Sequence, residues 1–235
     1  MHEDRVKSLS FGLENFVSFL MSILFIVGAA VGGWIIYDTY DSKYGIAQTY
    51  RRMYRPEVVT EEVLKELSED VVAWLEIDGT EISYPVLQGE TNTEYLNRNP
   101  YGEYSIMGSI FLDSRNRSDF RDSYSVIYGH HVSGGILFGA LDQFVERSYF
   151  DLHRTGRLYV GDVEHPFTTV AFLVADGDDE RVFDPSFEGD RVEFIMNKAK
   201  HIRDGVTLDG RLVALTTCRS ASGIDRTILI VRLDG

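Results

Sequence analysis

At 235 residues the chain has room for one domain with a substantial core, and its 44% hydrophobic and 12% aromatic content suits a globular fold. The formal net charge of −14 argues against a nucleic-acid partner, because phosphate binding needs a basic face. Cys218 is the single cysteine, which excludes an intramolecular disulfide and leaves the thiol as either packing or chemistry.

Phe16 to Tyr37 (FVSFLMSILFIVGAAVGGWIIY) runs 22 residues without a charge. As a helix it extends roughly 33 Å, enough to cross a hydrocarbon core of about 30 Å. Gly28-Ala29-Ala30 could serve as a signal-peptide cleavage site, but the run is long for that, and bulky Trp34, Ile35 and Ile36 follow the small cluster. An uncleaved single-pass anchor in the plasma membrane is therefore expected. Arg5 and Lys7 flank one side and Lys43, Arg51 and Arg52 the other, so flanking charge does not set the orientation. The expected organisation is a cytoplasmic tail over residues 1–15, the transmembrane anchor over 16–37, a helical stalk over 38–70 and a β domain over 71–235. In the stalk, Thr60 caps a helix with Glu61 and Glu62 in its first turn and Val63, Leu64, Leu67 and Val71 on one stripe.

From Val71 the pattern becomes short and β-like. VVAWLEIDGTEISYPVLQG predicts two strands around Asp78-Gly79, and GSIFLDS and YSVIYG predict two more. ILFGALDQFVERSYF shifts to helical spacing with Leu137, Leu141, Phe144, Val145 and Tyr149 inward. GRLYVGD and FTTVAFLVA return to strands. DRVEFIMNKAKHI predicts an amphipathic helix burying Val192, Ile195, Met196, Ala199 and Ile202, and RLVALTTC and RTILIVRL close the chain as a strand pair. Many short strands with a few inserted helices point to a mainly β barrel or sandwich.

On an alternating strand Ala214, Thr216 and Cys218 share one face, and the more apolar Val213, Leu215 and Thr217 share the other, which places Cys218 in the less buried row. Cysteine is among the most buried residue types, so packing is the default reading. Against it, an exported free thiol is open to oxidation, and this one ends a strand beside a polar loop, where reactive groups are often presented. A cysteine nucleophile acts as the thiolate and needs a base or cation beside it. Of the histidines, His2 lies in the tail, and His153, His165 and His201 fall in polar settings read as exposed surface. His130 and His131 differ, because they follow Gly129 at a strand end. A tandem pair on an extended chain points to opposite faces and does not share a metal; with no His-x-x-x-His and no Cys-x-x-Cys, neither a metal nor a cofactor is expected. Arg226 opens the last strand, and a hairpin across Arg219 to Asp225 would bring it to Cys218, where it could favour the thiolate or bind a developing oxyanion; an ordinary strand-end arginine is the alternative. Arg219, next in sequence, should point away. The chain has no G-x-S-x-G elbow for serine chemistry. The acidic run Asp176 to Glu180 has Phe187 where an EF-hand loop requires glutamate, and it is read as a solvated loop.

Taken together, Ala214-Leu215-Thr216-Thr217-Cys218, the loop and Arg226 before a strand, and YGHH upstream resemble the sortases, membrane-anchored cysteine transpeptidases of Gram-positive bacteria. The family pattern T-L-x-T-C is met except at its first position. VIYGHH, LFGALDQFVERSYFDLH, VLQGETNTEYL and GSIFLDSRN resemble class B members, and the likeness covers roughly Val71 to Leu233. The resemblance implies a closed β-barrel of about eight strands with N-terminal and inserted helices, on the extracellular face. It implies that Cys218 attacks the carbonyl of a Thr–X bond in a sorting signal to form a thioacyl enzyme. His130, selected over His131, would act as acid and then base, and Arg226 would steady the carbonyl oxygen. Asn92 and Leu96 would line the groove floor, and Tyr128 and Thr216 would flank the reactive pair. The implied partners are a sorting-signal peptide and an amine from a cell-wall precursor or a pilin. A thiol peptidase that only hydrolyses, and a non-catalytic binding domain with a structural cysteine, remain the alternatives.

Overall fold

The computed structural model describes residues 15–37, 67–132, 134–218 and 225–234. The expected stalk helix from Thr60 and the loop after Cys218 lie outside these, apart from Leu67, Val71 and Asp225. The apolar run forms helix α1 (Asn15–Tyr37), 23 residues and long and apolar enough to cross a membrane.

The first two predicted strands form as β1 (Val71–Ile77) and β2 (Ser83–Leu87), an antiparallel pair in register Trp74↔Pro85. β3 (Ile110–Leu112) and β4 (Tyr124–Tyr128) follow. A small ladder of β5 (His131–Val132) and β6 (Ile136–Leu137) precedes a 3₁₀ segment, Phe138–Val145, and helix α2 (Arg147–Leu152). β7 (Thr155–Val160) and β8 (Val163–Asp176) make a long hairpin. Helices α3 (Glu180–Phe183) and α4 (Arg191–Lys198), the short β9 (His201–Ile202), and the closing pair β10 (Leu212–Cys218) and β11 (Asp225–Leu233) complete the domain.

The strands lie in the order β11-β10-β4-β3-β2-β1-β7-β8-β9, and β11 also pairs with β8. Eight strands therefore close on themselves, with β9 hanging outside the ring on β8. Closure removes the exposed edges that an open sheet would present. β10 is central, parallel to β4 and antiparallel to β11, and Leu212 to Thr217 are buried on both faces. Ala214 and Thr216, in the row expected to be less buried, are as buried as their neighbours. Ala214 belongs to the cluster formed by Tyr124, Val126, Val182, Phe194, Ile195, Ile228 and Ile230, and Thr216 is wholly buried. Helices α3 and α4 roof that face, which alternation within one strand cannot reveal.

Three further expectations are corrected. ILFGALDQFVERSYF is not one amphipathic helix: Leu137 turns the chain at φ 49°, the 3₁₀ segment follows, and extended Glu146 separates it from α2. Leu137, Leu141 and Phe144 are buried as expected, but Phe150 is buried where Val145 and Tyr149 are only half-buried. Helix α4 ends at Lys198, capped at its start by Asp190, whose side chain accepts from Glu193 N at 2.8 Å. It buries Phe194 and Ile195 and leaves Val192 and Met196 exposed, because the aromatic ring removes more area from water than the smaller side chains do. His153 and His201 are buried core histidines. Each donates a ring N–H to a carbonyl, His153 to Asp78 (2.9 Å) and His201 to Val145 (2.8 Å), and each packs on aromatic rings.

Candidate active site

Adjacent strands bring the candidate residues to one end of the barrel. The β10–β11 register runs from Leu212↔Arg232 to Cys218↔Arg226, so the hairpin expected from sequence places those two residues directly opposite each other. On its other side β10 runs parallel to β4, with Thr216↔Tyr128 as their last pair, and Gly129 N–H donates to the Thr216 carbonyl at 3.0 Å. Cys218 lies two residues beyond Thr216, and His130 two beyond Tyr128. The cysteine position is thus flanked by Arg226 on one strand and by the His130 segment on the other, with neighbouring backbones about 4.8 Å apart. Gly129 makes this exit possible, because a Cβ there would fall 2.6 Å from Ile110 Cδ1 and 2.7 Å from Phe138 Cδ2.

His130 is half-buried, and its Nε2 lies 2.9 Å from the Leu96 carbonyl oxygen. A carbonyl only accepts, so Nε2 carries the proton and Nδ1 is the acceptor of the neutral ring. Gly108, at φ 57°, sits against the imidazole: a Cβ there would lie 2.8 Å from His130 Cδ2 and 2.5 Å from the Leu96 oxygen. Leu96, expected on the groove floor, is 37% exposed and also orients His130 through its backbone. His131 is held differently. Its Nε2 is 2.6 Å from Asp142 Oδ2, and the other Asp142 oxygen accepts from Thr227 Oγ1 at 3.3 Å. Thr227 alternates with Arg226 along β11, so His131 is tied toward the opposite face of the hairpin.

The remaining expected groove residues belong to a polar bracket behind the site. Tyr128 donates its hydroxyl to Asp113 Oδ2 at 2.9 Å, and its ring lies between Phe111 (5.3 Å) and Phe183 (6.4 Å). Among the described residues Asn92 makes no hydrogen bond to His130 or Arg226. Its amide spans Asp113 (2.9 Å) and Ser114 N (2.7 Å) and is linked to Tyr128 through Asp113. Thr216 is buried, its carbonyl serves Gly129, and its hydroxyl has no hydrogen-bond partner among the described residues. Arg226 is half-buried, with its guanidinium carbon 5.9 Å from the Phe183 ring centroid.

Asp113 is the electrostatic centre of the bracket. Burial alone would raise its carboxyl pKa, but hydrogen bonds from Arg115 and the Tyr128 hydroxyl hold it below the usual carboxylate range. Tyr128 is pushed up by burial and by the Asp113 charge. Among the described residues no three His, Cys, Asp or Glu side chains gather as a metal site. In the acidic run, Asp179 instead caps α3 through Arg181 N. Sequence reasoning passed over Gly108, Asp113, Arg115, Asp142 and Phe183. The one available signal was the pair of charges in FLDSRN, immediately after a strand too short to be anything but buried.

The sequence matches the sortase domain family model over residues 75–233. It is 28% identical to sortase B of Staphylococcus aureus over 180 residues, 72% of each chain. Among solved structures, a Streptococcus pyogenes class B sortase involved in pilus biogenesis superposes with a TM-score of 0.68 at 36% identity, covering 75% of this chain and 98% of that one. A Staphylococcus aureus sortase B–substrate complex does so with a TM-score of 0.67 at 25% identity, covering 84% and 94%. A family match across more than half of the chain, on the same closed eight-strand barrel, establishes that this chain belongs to the sortase family and is class B-like.

Proposed function

We propose that the chain is a membrane-anchored cysteine transpeptidase that cleaves a sorting signal and passes the acyl fragment to an amine. The observation that carries the reading is the pairing Cys218↔Arg226 beside Thr216↔Tyr128, which sets the nucleophile position between an arginine and the segment bearing His130. The Cys218 thiolate adds to the carbonyl carbon of the scissile Thr–X bond, and Arg226 stabilises the charge that develops on the oxygen. His130 Nδ1 has taken the proton of the Cys218 thiol, and as the C–N bond breaks it gives that proton to the leaving amine and a thioester remains. The incoming amine then attacks the thioester, His130 takes a proton from it, and the thiolate leaves. The Leu96 carbonyl, bound to Nε2, keeps the ring turned so that Nδ1 carries the exchange.

Helix α1 serves as an uncleaved anchor, with the barrel on the extracellular face. The S. pyogenes relative is described as involved in pilus biogenesis, which makes a pilin lysine as reasonable an acceptor as a cell-wall peptide amine. The test uses the full chain with a sorting-signal peptide and an added amine. Wild type yields an aminolysis product and a thioacyl adduct whose mass maps to Cys218, and Cys218→Ala yields neither. Hydrolysis unaffected by added amine would replace this reading with that of a simple thiol peptidase, and full turnover by Cys218→Ala would remove the thiol from the reaction.

A further inference from the structure

We propose that Arg115 is a positioning residue for Arg226 and acts through Phe183, a role that rests on the transpeptidase reading above. The Asp113 side chain is wholly buried at the end of β3, and its two oxygens collect several donors. Oδ1 accepts from Arg115 N and Nε, both at 2.9 Å, and Oδ2 accepts from Arg115 Nη2 (2.8 Å), Tyr128 OH (2.9 Å) and Asn92 Nδ2 (2.9 Å). With one edge of its fork fixed on this carboxylate, Arg115 reaches outward to α3. Nη2 donates to the Phe183 carbonyl at 2.6 Å and Nη1 to Asp184 Oδ1 at 3.2 Å. A planar guanidinium spans these groups at once, which a lysine ammonium cannot do.

What is held this way matters, because α3 is four residues long, one turn that does not maintain itself in isolation. Its place is set by Val182, buried in the core, by Arg115 at its C-terminal end, and by the stack of Phe183 on Tyr128 at an interplanar angle of 18°. The same Phe183 ring faces the Arg226 guanidinium. A continuous path therefore runs from Asp113 through Arg115 and Phe183 to Arg226, and a second runs from Asp113 through Tyr128 to the same ring. The β10–β11 register puts Arg226 opposite Cys218, and an aromatic surface fixed from the barrel wall orients its guanidinium. Direct ion pairing of Arg115 with Asp184 would explain little by itself, since that contact is solvent-facing and weak.

The experiment is a double-mutant cycle on the full chain with Arg115→Ala, Phe183→Ala and the pair, reading kcat and KM of transpeptidation and, separately, the rate of Cys218 alkylation by iodoacetamide. Each single change is expected to lower kcat about tenfold with KM little altered, less than the roughly 10²-fold cost of displacing a catalytic group outright. The double variant should be no slower than Phe183→Ala. Arg115→Lys should not rescue, and Arg117→Ala, which removes only an exposed pair with Asp119, should leave the rate unchanged. If Arg115→Ala does not fold, Arg115→Lys takes its place in the cycle. Losses that multiply in the double variant, losses confined to KM, or full activity in Arg115→Ala would overturn the role. If wild type shows no transpeptidation, that reading falls separately and alkylation decides the cycle: a slowing common to both singles and the double supports the coupling, and unchanged rates refute it.

Discussion

His130 and His131 are neighbours in sequence, yet the structure treats them oppositely. His130 is held by a neutral backbone carbonyl, from Leu96, against a glycine at position 108, and follows Tyr128 on the strand beside Cys218. His131 is held by a carboxylate, Asp142, which is in turn bound to Thr227. A carbonyl only accepts, so it fixes Nε2 as the donor and leaves Nδ1 as the other position of the ring. The Asp142 carboxylate, itself bound to Thr227, instead ties His131 toward the opposite face of the hairpin. In the proposed reaction the partner, more than the histidine, separates the ring that exchanges a proton from the ring that anchors.

Four substitutions can break or sharpen that contrast. The largest effect is expected from His130→Ala, a loss of about 10²–10⁴ in kcat, as for removal of a general acid–base. His131→Ala should stay within about tenfold of wild type, because it removes a tether and no proton-transfer group. Equal losses in the two, measured with one peptide and one acceptor, would dissolve the distinction. Gly108→Ala should lower kcat about 10²-fold by displacing the imidazole or its carbonyl partner. The left-handed backbone adds about 1–2 kcal/mol of destabilisation, seen in a thermal melt. An unmoved kcat there would mean that the Gly108 contact does not set the ring.

The clearest effect on stability comes from the bracket behind the site. Asp113 is held below the usual range in the folded state, so its ionised form stabilises the fold at neutral pH. That contribution is present above the unfolded value of about 3.9 and is lost as pH falls through the lower folded value. Asp113→Asn should therefore cost about 1–3 kcal/mol near pH 7. Its deficit against wild type should shrink below about pH 4, where the unfolded carboxyl protonates. Melts of both proteins across that range test it, and a pH-independent deficit would assign the cost to packing.

Much of the arrangement was legible from local pattern. The β10–β11 pair was readable because two apolar runs flank a short polar loop, and antiparallel pairing then carries Arg226 to Cys218 with no further information. The TTC and YGHH segments, in that order and with that spacing, carried the family. The histidines in polar stretches were misread because residues such as Asp151 and Arg154 surround His153 in sequence, while Phe144 and Tyr149 surround it in space. The helix over residues 136–150 was misread because its apolar spacing suits a 3₁₀ turn followed by a short α-helix as well as one long helix, and the break between them falls at one extended residue, Glu146.

By itself the sequence determined the apolar N-terminal helix, the positions of the eight barrel strands, the closing hairpin and the cysteine–arginine register, all of which follow from runs and alternation within a few residues. Only the tertiary structure decided which histidine is paired with a carboxylate, which face of β10 is roofed, and how Asp113 and Arg115 reach Phe183. Arg115 and Phe183 are separated by 68 residues, and Gln88 and Asn116 by 28, in contacts that exist only once the barrel has closed. The energy of such contacts comes from burial and from donors converging on one carboxylate, and both depend on how segments distant in sequence pack together.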